Sequence, residues 1–213
     1  MSRPNRRRAV RAVAPVVGLL AAGLLVWQGS YAAFSATTTN PSNSWAAGTV
    51  SLTDDDTGGS STTVGFAMFS SSAVTAGTVV TSGLKPGDTR TNCIKVTNNG
   101  TLAGVVKLYV PALTLTQTNA LADNLKVTVE EGTGTVATAF GSCTGFAPTS
   151  TITTGAPALS ALPAAYAGGL GSTSLATSAN RFYRISLTVD AAAPNTVQGG
   201  TAAAAFQWEI QTP

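Results

Sequence analysis

Histidine is absent from all 213 residues. That absence removes Ser-His-Asp triads, His-containing zinc sites and the HExxH metalloprotease pattern. Cysteine occurs only at Cys93 and Cys143, too few for a four-thiolate metal site. Charge is scarce, with Asp, Glu, Lys and Arg together at 10%. After the first eleven residues no Lys/Arg cluster offers the basic patch that nucleic-acid phosphates demand. Nucleic acid is therefore not an expected partner. No P-loop and no dinucleotide-binding glycine fingerprint follows a strand-like run, and no cofactor is expected.

What is present begins with Arg3, Arg6, Arg7, Arg8 and Arg11, followed by an uncharged apolar run from Ala12 to Trp27. A cationic start, an apolar helix and small residues before a cut site define a secretory signal. Ser30 and Ala32 satisfy the small-residue demand, which predicts cleavage between Ala32 and Ala33. The apolar run is shorter than the roughly 20 residues a transmembrane helix needs. The alternative is an uncleaved anchor, and the membrane is expected as a partner only in that form. Residues 1–32 are thus expected to be a signal peptide and 33–213 a secreted domain. Signal removal also changes the charge. Five of the twelve basic residues lie in the leader, so seven basic against nine acidic side chains leave the remainder at −2. A chain of that length suits one domain with a real core.

Export bears on the cysteines, because thiols outside the cytoplasm tend to oxidise. A Cys93–Cys143 disulfide is the expectation, and two buried free thiols are the alternative.

Thr, Ser, Gly and Ala dominate the mature chain, and short alternating runs are frequent. Leu125, Val127 and Val129 alternate with polar neighbours, as do Tyr183, Ile185, Leu187 and Val189. Ala202, Ala204, Phe206, Trp208 and Ile210 share one face of an extended segment. Ile94 and Val96, Val106, Leu108 and Val110, and Val64, Phe66 and Met68 read the same way with less force. Such period-two patterns mark strands with one face buried. Lys85-Pro86-Gly87-Asp88 predicts a type II turn, and Asn98-Asn99-Gly100 predicts a tight hairpin. Glu131-Gly132-Thr133-Gly134 and Gln198-Gly199-Gly200 read as further punctuation. The stretch from Ala147 to Ser178 is expected to be a loop-rich insertion with a short helix near Ala161 to Tyr166. The fold expected is all-β, a single jelly-roll-like antiparallel β-sandwich.

Two acidic groups invite chemistry. Asp54-Asp55-Asp56 resembles a calcium cluster, but three adjacent acids rarely converge on one ion. A solvated loop is the preferred reading, and no metal site is assigned. Glu130 and Glu131 point to opposite faces of a strand, so they cannot form the paired carboxylates of a glycosidase. They read as a charged strand end. Among the aromatics, Trp45, Tyr166, Tyr183 and Trp208 are candidates for sugar contact. The strand pattern assigns Tyr183 and Trp208 to the core instead.

Three stretches, in order, carry a resemblance. Ser30-Tyr31-Ala32-Ala33-Phe34-Ser35 and then Asn43 through Leu52 (NSWAAGTVSL) resemble the start of TasA and camelysin proteins. Gly83 through Asp88, followed by Val96 through Leu102, is similar to the "nLKPGD…nnGsl" stretch of that family. Asn195 through Gly199, with the strand ending at Gln211, is similar to its last hairpin. The region from about Gly132 to Ser178 does not match by motif. The resemblance implies export through a SipW-type signal peptidase, a jelly-roll fold and a structural role in extracellular fibres of Gram-positive biofilms. It also implies self-association, or association with related matrix subunits, by donation of an N-terminal strand. Phe34, Trp45, Val50 and Leu52 mark the candidate assembly segment. The alternative is that this segment forms the first strand of its own monomer.

The chain is therefore expected to be a secreted, non-catalytic protein of the cell surface or biofilm matrix. Camelysin proteins also carry a metallopeptidase label, which the missing histidines disfavour here. A carbohydrate-binding β-sandwich is the other alternative.

Overall fold

The computed structural model describes residues 47–55, 67–72 and 77–212. Eight strands build its two main sheets: β1 (Leu52–Asp54), β2 (Thr89–Asn98), β3 (Gly104–Tyr109), β4 (Leu125–Thr133), β5 (Ala147–Thr151), β6 (Leu170–Leu175), β7 (Asn180–Val189) and β8 (Gln207–Gln211). The five-stranded sheet runs β1-β2-β7-β4-β5 and the three-stranded sheet β6-β3-β8. Every pairing in both is antiparallel. The protein is thus mainly antiparallel β, as its alternating runs predict.

The alternation explains the packing. Across the middle of the large sheet Tyr183 stands between Ile94 and Glu131, and Ile185 between Asn92 and Val129. Ile94, Val96, Val127, Val129 and Ile185 are almost wholly buried. Burying each such side chain contributes about 1.5–3 kcal/mol. Leu108 of β3 belongs to the same core, and Trp208 of β8 packs against it. The two sheets therefore share one core in a sandwich-like arrangement. Val106, Leu175 and Ile210 make a smaller cluster on the three-stranded sheet.

Lys85-Pro86-Gly87-Asp88 is the predicted turn: Gly87 has φ +87° and the Asp88 N–H donates to the Lys85 carbonyl at 2.9 Å. Gly199 has φ +69° within the turn expected there.

Other expectations need correction. Asn98-Asn99-Gly100 is no hairpin, because β2 and β3 belong to different sheets. The Asn98 side chain is fully buried and donates to the carbonyls of Leu102 and Leu175 at 2.9 and 3.1 Å. It thereby satisfies backbone groups where the chain changes sheets. Gly100 is required because a Cβ there would stand 2.5 Å from the Thr49 carbonyl oxygen. Glu131-Gly132 is not a turn but part of β4, and a Cβ on Gly132 would collide with Ala147 of β5. The single C-terminal strand is two: Ala202–Ala203 pairs with Thr116–Gln117, and β8 pairs with β3. The stretch 147–178 holds two strands, β5 and β6, and 3-10 turns at Leu159–Ala161 and Tyr166–Gly168 in place of the expected helix. Both strands lie at sheet edges, and every residue of β5 is exposed. An edge strand of that kind carries no alternating pattern to read.

Candidate functional site

The cleavage residues Ser30, Ala32 and Ala33 lie outside the described residues, as do Phe34, Trp45, Asp56, Val64 and Phe66. Val50 and Leu52, the later part of the candidate assembly segment, are described. Val50 is 47% exposed. Leu52 is half-buried and touches both core clusters. It opens β1, which pairs with β2 of its own chain through Leu52 opposite Asn98 and Asp54 opposite Val96.

A small set of polar contacts holds this segment down. The Asn99 N–H donates to the Ser51 carbonyl at 2.9 Å, and the Thr101 N–H to the Thr49 carbonyl at 2.9 Å. The Thr49 N–H donates to Thr101 Oγ1 at 2.8 Å, and Asn99 Nδ2 to Thr53 Oγ1 at 2.6 Å. Asp55 closes the far end. Its Oδ1 accepts from the Lys95 N–H and its Oδ2 from the Phe140 N–H, both at 2.9 Å. Asp55 is therefore no member of a solvated loop, which corrects the reading of the acidic triplet. A carboxylate accepting two backbone N–H groups is a strong anchor. Among the described residues no three His, Cys, Asp or Glu side chains gather at one ion position.

The expected disulfide is present between Cys93 and Cys143, with Cα atoms 5.2 Å apart. Cys93 lies on β2 beside Ile94, so it faces away from the shared core, yet it is fully buried. The short hairpin of Thr138–Ala139 and Ser142–Cys143 packs against β2 there. Asn92 adds a second tie, accepting from the Gly141 N–H at 3.0 Å.

The acidic pair divides as its alternation requires. Glu130 meets Arg184, with Nε donating to Oε2 at 2.6 Å. That bond holds the guanidinium above its ordinary value. Glu131 is buried, not a charged strand end. Its Oε1 accepts from Ser150 Oγ of β5 at 3.2 Å and from Thr173 Oγ1 of β6. One carboxylate thus ties the edge of one sheet to the edge of the other. Sequence reasoning could have found this, since Glu131 continues the buried face of Leu125, Val127 and Val129.

Tyr183 and Trp208 lie at the core, where the strand pattern puts them. The Tyr183 and Trp208 ring centroids are 5.6 Å apart with planes tilted by 51°. Burial, with the Glu131 carboxylate adding to it, pushes the Tyr183 phenol well above its ordinary value. Tyr166 is not a free platform for sugar: Lys107 Nζ lies 4.9 Å from its ring centroid, and its hydroxyl donates to the Val105 carbonyl. On β3 the Tyr109 hydroxyl donates to Glu209 Oε2 at 2.6 Å, which raises the phenol and lowers the carboxyl.

A cleft of about 420 Å³ opens beside the core between Phe69, Leu84, Leu121, Leu187 and Phe206. Its lining is apolar or hydroxyl-bearing and carries no ionisable side chain. It offers contact surface without an acid, a base or a charged nucleophile. No protein-family model matches the chain, and no curated protein matches it.

Proposed function

We propose that this is a secreted, non-catalytic structural protein of the cell surface or extracellular matrix. It associates with copies of itself, or with related matrix subunits, through residues 33–52. The resemblance to TasA and camelysin proteins, including their jelly-roll sandwich and signal-peptidase-dependent export, supports this reading.

The observation that carries it is the placement of β1. Among the described residues this strand has only three residues and ends the order of the five-stranded sheet. An edge strand leaves backbone donors and acceptors on its outer side, a template for another chain. Strand addition at such an edge gains main-chain hydrogen bonds, and alternate side chains find pockets. The segment leading into β1 keeps Val50 exposed. Few charges stand in the way, since the chain after residue 32 carries sixteen in all. Cleavage at Ala32 would free the segment from its apolar leader, so export and assembly are coupled in this reading.

Protein beginning at Ala33, incubated alone, is expected to form fibres in electron micrographs and to sediment in a concentration-dependent way. Deletion of residues 33–43 is expected to abolish both. A protein that stays monomeric across concentration and pH, whether or not those residues are present, would overturn the proposal.

A further inference from the structure

The Asn99-Gly100 pair is not used as a turn, and its chemistry is otherwise unaccounted for. An asparagine before glycine is the sequence most open to cyclisation, because glycine places no side chain in the path of the attacking backbone nitrogen. Gly100 cannot be exchanged for a larger residue here, since the Thr49–Val50 backbone passes directly over it. The docking of the β1 segment therefore holds glycine at 100, buried, directly after an exposed asparagine, a chemically fragile pair.

The same docking restrains it. Asn99 Nδ2 is tied to Thr53 Oγ1 at 2.6 Å, and the Asn99 N–H to the Ser51 carbonyl at 2.9 Å. The Gly100 N–H donates to the buried Asn98 Oδ1 at 2.9 Å, so the nitrogen that would attack keeps its proton and points elsewhere. Two of these three restraints come from β1 and the residue before it.

We infer that Asn99 is a latent deamidation site guarded by β1, which converts when β1 leaves its own sheet. In that step the Gly100 nitrogen gives its proton to solvent base and attacks Asn99 Cγ. The Cγ–Nδ2 bond breaks, and ammonia leaves with a proton taken from water. Water then opens the succinimide at either carbonyl, giving aspartate or isoaspartate. Isoaspartate lengthens the main chain by one methylene. That displaces the Asn99, Thr101 and Leu102 N–H groups from the Ser51 and Thr49 carbonyls they now serve. Departure of β1 would so become hard to reverse. The inference does not depend on fibre formation, since any event that releases β1 suffices.

The test follows residue 99 by peptide mapping of the full chain at mildly alkaline pH, folded and in denaturant. Conversion in the folded parent is expected to be several-fold slower than in denaturant. Thr53→Val, which removes the acceptor, is expected to convert several-fold faster than the parent while the amides of β7 stay protected from exchange. Thr53→Ser, which keeps the acceptor, is expected to behave as the parent. Equal rates in folded and denatured parent overturn the inference, as does a folded Thr53→Val as slow as the parent. Should Thr53→Val not fold, the parent in sub-denaturing conditions takes its place. There conversion must rise with β1 amide exchange while β7 remains protected; a rate that waits for global unfolding overturns the inference.

Discussion

Tyr183 sits in the centre of the large sheet, between Ile94 and Glu131, and only 2% of it is exposed. Its phenol is held neutral first by burial and then by the neighbouring carboxylate. The folded pKa is therefore raised above that of the unfolded chain, which is about 10. The contribution to stability is fully present below that value and is lost as pH climbs toward the folded one, because the unfolded chain then releases a proton the folded chain keeps. Thermal unfolding followed from about pH 8 to 12 should show a steep alkaline decline. Tyr183→Phe is expected to flatten it, since phenylalanine has no proton to lose, and to alter stability at neutral pH by no more than about 1 kcal/mol. Tyr109, also raised, keeps part of the decline. Superimposable pH profiles for parent and variant would refute this role. At this scale the sequence was partly legible. Tyr183 and Glu131 both fall on alternating core faces, so their burial can be read. The burial of Asn98, which continues the face of Ile94 and Val96, can be read in the same way. Asp55 cannot, because a polar side chain just past a strand end that satisfies distant backbone groups leaves no periodic trace.

Among the elements, β2, β4 and β7 are legible because each buries one face and wets the other. The edge strands β5 and β6 are not, and Pro148 and the serines and threonines around it look like loop. The hairpin at 138–143 is a further case: four residues in two short strands do not fold on local preference. The disulfide and Asn92 fix it to β2 instead. Bridging residues 50 apart in sequence should stabilise the fold by about 4 kcal/mol through the unfolded chain. Reduction, or Cys93→Ala with Cys143→Ala, is expected to lower the denaturant midpoint by a corresponding amount. The bridge is also expected to show as a mass gain of two hydrogen atoms on reduction. A midpoint unmoved by reduction would place the stabilisation elsewhere, in the polar contacts of Asp55 and Asn92.

For the molecule as a whole, stability should be graded from the centre of the large sheet outward. β7 is hydrogen-bonded on both sides along nearly its full length, to β2 and to β4. β1 has three paired residues and β5 four. Opening β7 requires breaking the shared core, whereas β1 can leave at the cost of Leu52 and a few polar contacts. Native-state hydrogen exchange is therefore expected to place the β7 amides at the global unfolding free energy and those around β1 well below it. The Asn99 and Thr101 amides, which donate to the β1 segment, should exchange with it. Asp55→Ala removes two charge-assisted bonds to backbone N–H groups, so it should speed exchange at β1, Lys95 and Phe140. The middle of β7 should keep its protection. If β1 and β7 instead exchanged together in both proteins, β1 would be part of one cooperative unit. It would then have no independent freedom to leave its own sheet, and both the proposed exchange between subunits and the proposed guarding of Asn99 would lose their physical basis.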